Sequence, residues 1–362
     1  MKRSYYTIWL VAAFCLLTAP SAMAQTNIPG PDTEVETDKR GQTGFKFLTT
    51  SLDPRSSAMG GAVTSSVIGS SLALFHNPAS MSRMQSDFHA SAGQVEHLVD
   101  FKYNYASAAY RPAGGSYGVF GVSFINVDYG DFFETVRAEN EDGFIEVGTY
   151  NPSALAVGFG YAQSFTDRFS VGAQVKYALQ DLGSFAVARV EDGGSSLGDG
   201  TSATFRDYSL NTLAVDFGIL YNTGFRSLTI AMSTRNFSRE MIYERERFEL
   251  PLTFQLGMSM DLIDLTSLDP NMHSFEFSVD AQRPRDFVEH LKLGAEYTLM
   301  EILSLRGGWG QAFVGSEDSE EGLSFGGGIQ YEISGVGFGA DYAYTDFGLF
   351  GELQRIGLQV SL

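Results

Sequence analysis

From about residue 86 to the end of the chain, apolar and polar side chains alternate with a period of two. In 169–180, Phe169, Val171, Ala173, Val175, Tyr177 and Leu179 alternate with Ser170, Gly172, Gln174, Lys176, Ala178 and Gln180. The same alternation runs through 252–261, 275–282, 291–298 and 356–362. Successive side chains of a strand point to opposite faces, so each segment has one apolar face and one polar or glycine face. Such segments fall at 86–95, 103–111, 116–126, 153–164, 169–180, 207–221, 227–236, 250–262, 273–283, 289–299, 302–313, 322–332, 335–345 and 352–362. Most approach the roughly 9–11 residues that a tilted strand needs to cross a bilayer. Strands of soluble proteins are shorter, about 5–6 residues.

The connections follow a second pattern. Every other one is tight (Pro112–Gly115, Phe165–Arg168, Asn222–Arg226, Met300–Glu301, Ser334), with 263–272 as the exception. Several of the others are long: 127–152, 181–206 and 237–249. Short turns on one side and long loops on the other mark outer-membrane barrels. A soluble propeller or sandwich accounts for neither strand length nor loop asymmetry. The pattern predicts an all-β fold, a transmembrane antiparallel β-barrel of about 14 strands. Both barrel ends lie on the periplasmic side, and a small N-terminal hatch fills the lumen. Val171, Val175, Phe254, Leu256, Phe277, Leu293 and Leu358 should face lipid, while Gln174 and Ser278 face inward, where an arginine should be tolerated better. Tyr103, Tyr105, Phe124, Tyr161, Tyr221, Tyr297, Trp309, Phe313, Tyr342 and Tyr344, near strand ends, would form interfacial girdles.

The region before the barrel divides in three. Lys2 and Arg3, the apolar run Ile8 to Leu17 and the small-residue site Ala22-Met23-Ala24 predict a signal peptide over 1–24, cleaved before Gln25. Residues 25–44 are polar, aperiodic and proline-bearing, as expected of a flexible periplasmic tail. Residues 45–84 carry small residues and short apolar runs without strand alternation, and are expected to form the hatch. The barrel takes 85–362.

Composition narrows the chemistry. Forty-three acidic residues stand against 24 basic ones, a net charge of −19, which argues against nucleic acid as a partner. The single cysteine, Cys15, lies in the expected signal peptide, leaving no thiol chemistry afterwards. His76, His89, His97, His273 and His290 show no metal-ligand spacing, and the glycine-rich 192–200 lacks the Lys-Ser/Thr of a phosphate loop. Glu139 to Gly143 lacks the spaced ligands of a calcium loop and reads as a solvated acidic face. The acidic residues of 127–150 and 315–321 suit solubility, the steering of a basic partner, or divalent cations that bridge lipid headgroups. No histidine shares an evident lumen stripe with a serine, so a membrane acyl hydrolase is not indicated. The chain is expected to be non-enzymatic and without cofactor or metal. Lys176, Asp216, Glu276, Asp280, Lys292, Glu296, Arg306, Asp341 and Arg355 fall on expected inward faces and suggest a mixed-charge lumen network that fixes shape or holds the hatch.

The segment Phe47-Leu48, Arg55, Ala58-Met59-Gly60-Gly61-Ala62 and, after an aromatic, Asn77-Pro78-Ala79 resembles the N-terminal signature of the PorV/PorQ family, barrels of the type IX secretion system and its relatives. That family in turn looks like the fatty-acid transporter FadL, a fourteen-stranded barrel plugged by an N-terminal hatch with the same Asn-Pro-Ala. One departure is His76, where family members usually carry Trp or Tyr. The resemblance implies an outer-membrane location and lipid contact. It also implies secreted-protein cargo or other secretion-system subunits as partners; the alternative is a FadL-like channel for small hydrophobic molecules. A sealed polar lumen, which the inward faces suggest, favours the secretion role, and a long apolar tract the channel.

Overall fold

A computed structural model describes residues 42–96, 101–137, 141–187, 204–243, 245–312 and 322–362. The expected signal peptide, residues 25–41 of the tail, His97, Glu139, Asn140, the glycine-rich 192–200, Phe313 and the acidic 315–321 lie outside them.

Among the described residues, fourteen strands close into one antiparallel barrel. These are β1 (Phe88–Glu96), β2 (Lys102–Tyr110), β3 (Val119–Asp128), β6 (Ser153–Ser164), β7 (Phe169–Val187), β8 (Thr204–Asn222) and β9 (Thr229–Ser238). The circuit continues through β12 (Thr253–Asp261), β13 (His273–Pro284), β14 (His290–Leu299), β15 (Leu303–Ala312), β16 (Leu323–Ile333), β17 (Val336–Asp346) and β18 (Glu352–Ser361). It closes where β1 pairs with β18, His89 opposite Ser361 and Glu96 opposite Gln354. Two small hairpins, β4–β5 (Phe132–Arg137, Phe144–Tyr150) and β10–β11 (Met241–Tyr243, Glu246–Phe248), stand on the rim of long connections. The observed strands follow the expected segments closely, and only β7 runs well past its expected end. The opposite rim is closed by tight turns apart from the β12–β13 connection, which holds a 3₁₀ turn (Leu262–Leu265). Met300 and Glu301 both take positive φ there, as a two-residue hairpin with the strands' own twist requires.

The outer face is apolar around the whole circuit. Of the expected lipid-facing residues, Val175, Phe254, Leu256, Phe277 and Leu358 are exposed, and Val171 and Leu293 are half-exposed. Exposed Phe120, Val122, Phe124, Val157, Phe159, Leu213 and Phe217 continue the belt. A soluble monomer rarely exposes an apolar patch beyond roughly 300–600 Å²; in hydrocarbon, a closed barrel leaves no strand edge unpaired. Among the described residues, no helix is long and apolar enough to cross a membrane.

The inner face differs from expectation on one side. Tyr103 and Tyr105 are buried at 5% and 3% exposure, pointing into the lumen rather than into a girdle. Val95, Val119, Ile125 and Val127 join them, so the inner wall of β1–β3 is largely apolar, broken by His89, Ser91, Ser107 and Ser123. The reason is their neighbour: this wall packs against chain, not water.

That chain is the segment before β1. Thr43 bridges to Glu249, and the Gly44 amide donates to the Glu249 carbonyl (3.2 Å), at the rim of long connections. Residues 42–44 are thus opposite the tight turns that the sequence reading assigned to the periplasm. From there the chain descends as a 3₁₀ turn (Lys46–Thr49), helix α1 (Pro54–Ala58) and two 3₁₀ turns (Ser71–Phe75, Pro78–Arg83). It leaves at the other rim, where Arg83 donates to the Thr166 carbonyl (3.3 Å) and Arg111 to that of Met84 (2.7 Å).

Candidate functional site: a hatch clamped in the lumen

Three of the four hatch turns carry a side-chain cap, the exception being Lys46–Thr49. Asp53 Oδ1 accepts the Ser56 amide (2.8 Å) ahead of Pro54 at the start of α1. Ser70 caps the next turn through the Leu72 amide (3.1 Å), and Asn77 Oδ1 caps the last through the Ala79 amide (3.1 Å). Short turns of this kind are unstable alone and persist because caps and packing supply what their few internal bonds do not.

Arg55 is the strongest anchor. Its Nε and Nη2 make a bidentate pair with Glu296 (2.9 and 3.1 Å), Nη2 also reaches Glu276 (3.0 Å), and Nη1 donates to the Ser66 carbonyl (3.2 Å). Arg306 bridges the same Glu296 to Asp341, contacting Asp341 at 2.5 Å. The planar fork of arginine suits this arrangement better than a lysine could. Burial disfavours the charged guanidinium of Arg55, but the two carboxylates override it and hold its pKa above the ordinary value.

Further down, the hatch lies on glycine. A Cβ at Gly326 would fall 2.5 Å from the Ala58 Cβ, and one at Gly294 would fall 2.7 Å from the Met59 carbonyl oxygen. Gly60 and Gly61 take φ of 61° and 74°, and a Cβ on Gly60 would meet the Trp309 backbone nitrogen at 2.5 Å. No larger residue could pass this wall in this conformation. Ser278 donates to the Ala62 carbonyl (2.5 Å), and Asp280 accepts the Thr64 amide (2.8 Å). Asn77 Nδ2 donates to the carbonyls of Thr64 and Ile219, both at 3.1 Å, tying two hatch segments to β8. Pro78 and Ala79 press against Gly172.

The remaining expected lumen residues split into two groups. Arg355 donates from Nε to the Ser51 carbonyl and from Nη1 to Thr345, both at 3.0 Å, and Lys292 approaches Gly61. Lys176 and Asp216 pair at 2.8 Å away from the Arg55 cluster. There Lys176 also donates to Asn236 (2.6 Å), whose amide donates to Asp216 (2.7 Å). Asn236, with φ of 62°, sits where the β8–β9 register shifts. A bulge of this type leaves backbone groups unpaired, and the buried pair satisfies them.

Several contributors were not anticipated. Asp53 Oδ2 accepts from His76 Nε2 at 2.5 Å, which explains the histidine before Asn-Pro-Ala: it ties the cap of α1 to the second turn. Burial would raise the Asp53 pKa, but His76 outweighs it and the net shift is downward. Lys46 pairs with buried Asp286 at the rim. A serine and a histidine do meet: His89, on the inner face of β1, has Nδ1 3.3 Å from the Ser71 amide and 2.9 Å from Ser71 Oγ, which also contacts Ser107 (2.8 Å). Ser71 is fully buried, so no substrate reaches it and the trio is a packing contact. The sequence reading did not single out Asp53-Pro54, although Asp before Pro is a local cap signal; the distant pairings of His76 and Lys46 leave none. Among the described residues no cluster of three His, Cys, Asp or Glu is arranged to hold a metal ion.

The fold and this interior define the class: a closed fourteen-stranded antiparallel barrel with an apolar outer belt, occupied by its own N-terminal segment. The toluene transporter TbuX of Ralstonia pickettii superposes with a TM-score of 0.51 at 15% identity, covering 85% of this chain and 97% of that one. The toluene transporter TodX of Pseudomonas putida gives 0.50 at 13%, covering 86% and 97%. A FadL homologue of Pseudomonas aeruginosa gives 0.47 at 10%, covering 86% and 98%. No family model matches the sequence, and no curated protein does.

Proposed function

We propose that this protein is a non-enzymatic outer-membrane channel for small hydrophobic molecules, closed by the hatch of residues 45–84. The observation that carries this is the division of the lumen. On β13–β18 the hatch is fixed by ion pairs and backbone bonds, led by Arg55 and Arg355. On β1–β3 it is held mainly by apolar packing, with Phe75 edge-on to Tyr105 (5.7 Å) and Leu72, Leu74 and Met81 in the same cluster. An apolar guest entering that seam replaces one apolar neighbour with another at little cost, while the charged wall keeps the hatch from leaving. Two barrels of the same fold are toluene transporters, which supports this chemistry. The lumen is therefore neither wholly polar nor an open apolar tract. The test is toluene accumulation by cells whose own hydrophobic-compound channels are deleted. Expression should raise uptake, and uptake equal to that of empty-vector cells would overturn the proposal.

A second reading, membership of the PorV/PorQ family with secreted proteins or secretion subunits as partners, is favoured by one observation. The rim hairpins expose Phe133, Phe144 and Ile242, an apolar surface suited to a protein partner. Recovery of defined secretion components with the protein from mild detergent, lost on replacing these three by serine, would support it.

A further inference from the structure

The rim opposite the long connections is divided in charge. On one half, each of the turns β2–β3, β6–β7 and β8–β9 carries an arginine and an exposed aromatic: Arg111 with Tyr117, Arg168 with Phe165, and Arg226 with Phe225. On the other half, the connections at 262–272, 300–302 and 334–335 hold Asp264, Asp269 and Glu301, and no lysine, arginine or aromatic. Arg83, where the hatch leaves the lumen, belongs to the first half.

Contacts join these four arginines into one arc. Arg111 donates to the carbonyl of Met84, next to Arg83, and Arg83 donates to the Thr166 carbonyl in the β6–β7 turn. The Asn222 amide donates to the Arg168 carbonyl (2.8 Å), and the Arg168 guanidinium lies over Gly224, where a Cβ would fall 2.7 Å from its Cζ. Arg226 follows two residues later. Asp87, 3.6 Å from Arg111, and Asp167, which acts on Arg83, are the aspartates of this half. Arg168 and Arg226 are exposed, and among the described residues neither enters an ion pair. The arc ends at Asp264, which accepts the Ser227 amide (2.9 Å), and there the acidic half begins.

A guanidinium forms two parallel hydrogen bonds with a phosphate, and aromatic rings collect at the headgroup level of a bilayer. Three neighbouring turns that repeat this pair present both to the same leaflet. A soluble acidic partner would account for the charge and leave the rings without a role.

We propose that this arc binds the headgroup of an anionic phospholipid in the leaflet on the tight-turn side, with its phosphate on Arg168 and Arg226 and its glycerol region against Phe165 and Phe225. The proposal requires the barrel to lie in a bilayer. It is independent of what passes the hatch, so a failed toluene uptake assay leaves it standing.

The experiment is native mass spectrometry of the delipidated protein in a neutral detergent, titrated separately with dioleoyl phosphatidylglycerol, dioleoyl phosphatidylcholine and inorganic phosphate. Saturable binding of phosphatidylglycerol is expected, about tenfold or more tighter than that of phosphatidylcholine. Arg168→Gln and Arg226→Asn should each weaken it about fivefold, and the double variant roughly thirtyfold. Asparagine is chosen because it tolerates the left-handed backbone at position 226, where φ is 52°. Arg239→Gln removes the same charge from the exposed rim of long connections and should leave binding unchanged. A compact band on unheated gels verifies that each variant remains a barrel; should one arc variant not fold, the other carries the test. Equal affinity for the two lipids, no loss in the double variant, or an equal loss in Arg239→Gln overturns the proposal. Displacement of phosphatidylglycerol by equimolar inorganic phosphate also overturns it, because the arc would then be a site for the free ion. No preference between the lipids, together with retention of an acidic periplasmic protein that the double variant loses, would overturn it in favour of a protein partner.

Discussion

Replacing Arg55 by alanine removes one guanidinium and leaves Glu276 and Glu296 facing each other inside the barrel. Breaking a buried ion pair from one side costs roughly 3–5 kcal/mol, most of it the penalty of the charge left behind. Here Glu296 keeps Arg306, and the side chains of the Arg55 pairs retain 11–19% exposure, which places the loss near the lower bound, at about 3 kcal/mol. The barrel's backbone ladder is untouched, so the loss falls on hatch docking. At about 1.4 kcal/mol per factor of ten, the undocked population rises roughly a hundredfold. Ion conductance of single barrels in planar bilayers measures this population directly, as brief openings that become frequent in Arg55→Ala. Arg55→Lys keeps charge but loses the fork and should fall between the two. Adding Glu276→Gln to Arg55→Ala removes one stranded charge and should partly restore closure. Conductance indistinguishable from wild type in Arg55→Ala, or a double variant more open than the single, would refute the argument that buried carboxylates drive the opening.

Three other perturbations test separate parts of the structure. Gly308→Ala puts a methyl group into the Met59–Gly60 backbone and should undock the hatch and raise conductance, whereas Gly307→Ala on the adjacent outward position, where the nearest atom is 3.9 Å away, should not. Leu256→Arg, at an exposed mid-strand position, should cost roughly 2–4 kcal/mol in a refolding titration into lipid, with hatch conductance as wild type. Because the Asp53 pKa is depressed in the folded hatch, its stabilisation is complete above the unfolded value of about 3.9 and is lost as pH falls through the lower folded one. Openings should therefore increase only in strong acid, and His76→Ala should move that onset to higher pH.

The barrel was legible because its rule is local: a period of two and a turn signal every dozen residues suffice, and no knowledge of distant neighbours is needed. The inner face was legible only where it is charged. Glu276, Glu296 and Arg306 announced themselves as polar residues on an otherwise apolar strand, but which cation they meet depends on Arg55, 241 positions before Glu296. On β2 the same rule misassigned Tyr103 and Tyr105. A lumen wall that packs against protein is as apolar as one facing lipid, and alternation alone does not tell the two apart. For the same reason Gln174 and Ser278 are not permissive positions. Gln174 is 1% exposed and bonded to Ser123 (2.6 Å), Ser278 is fully buried, and an arginine fits at neither. The glycines of β15 and β16 read as empty space in sequence; in the structure they are the surfaces on which the hatch rests.

The barrel closes where its first strand meets its last, and the hatch immediately precedes that first strand. Its contacts straddle the seam: Ser71 holds β1 through His89, while Ser51 receives Arg355 from β18. The second of these links joins positions 304 apart in the chain, and pairings of such separation form late. The segment made earliest thus waits for the strands made latest, and completes its fit only as they arrive. It then acts as a clasp across the join, so that sealing the pore and finishing the cylinder become a single assembly event.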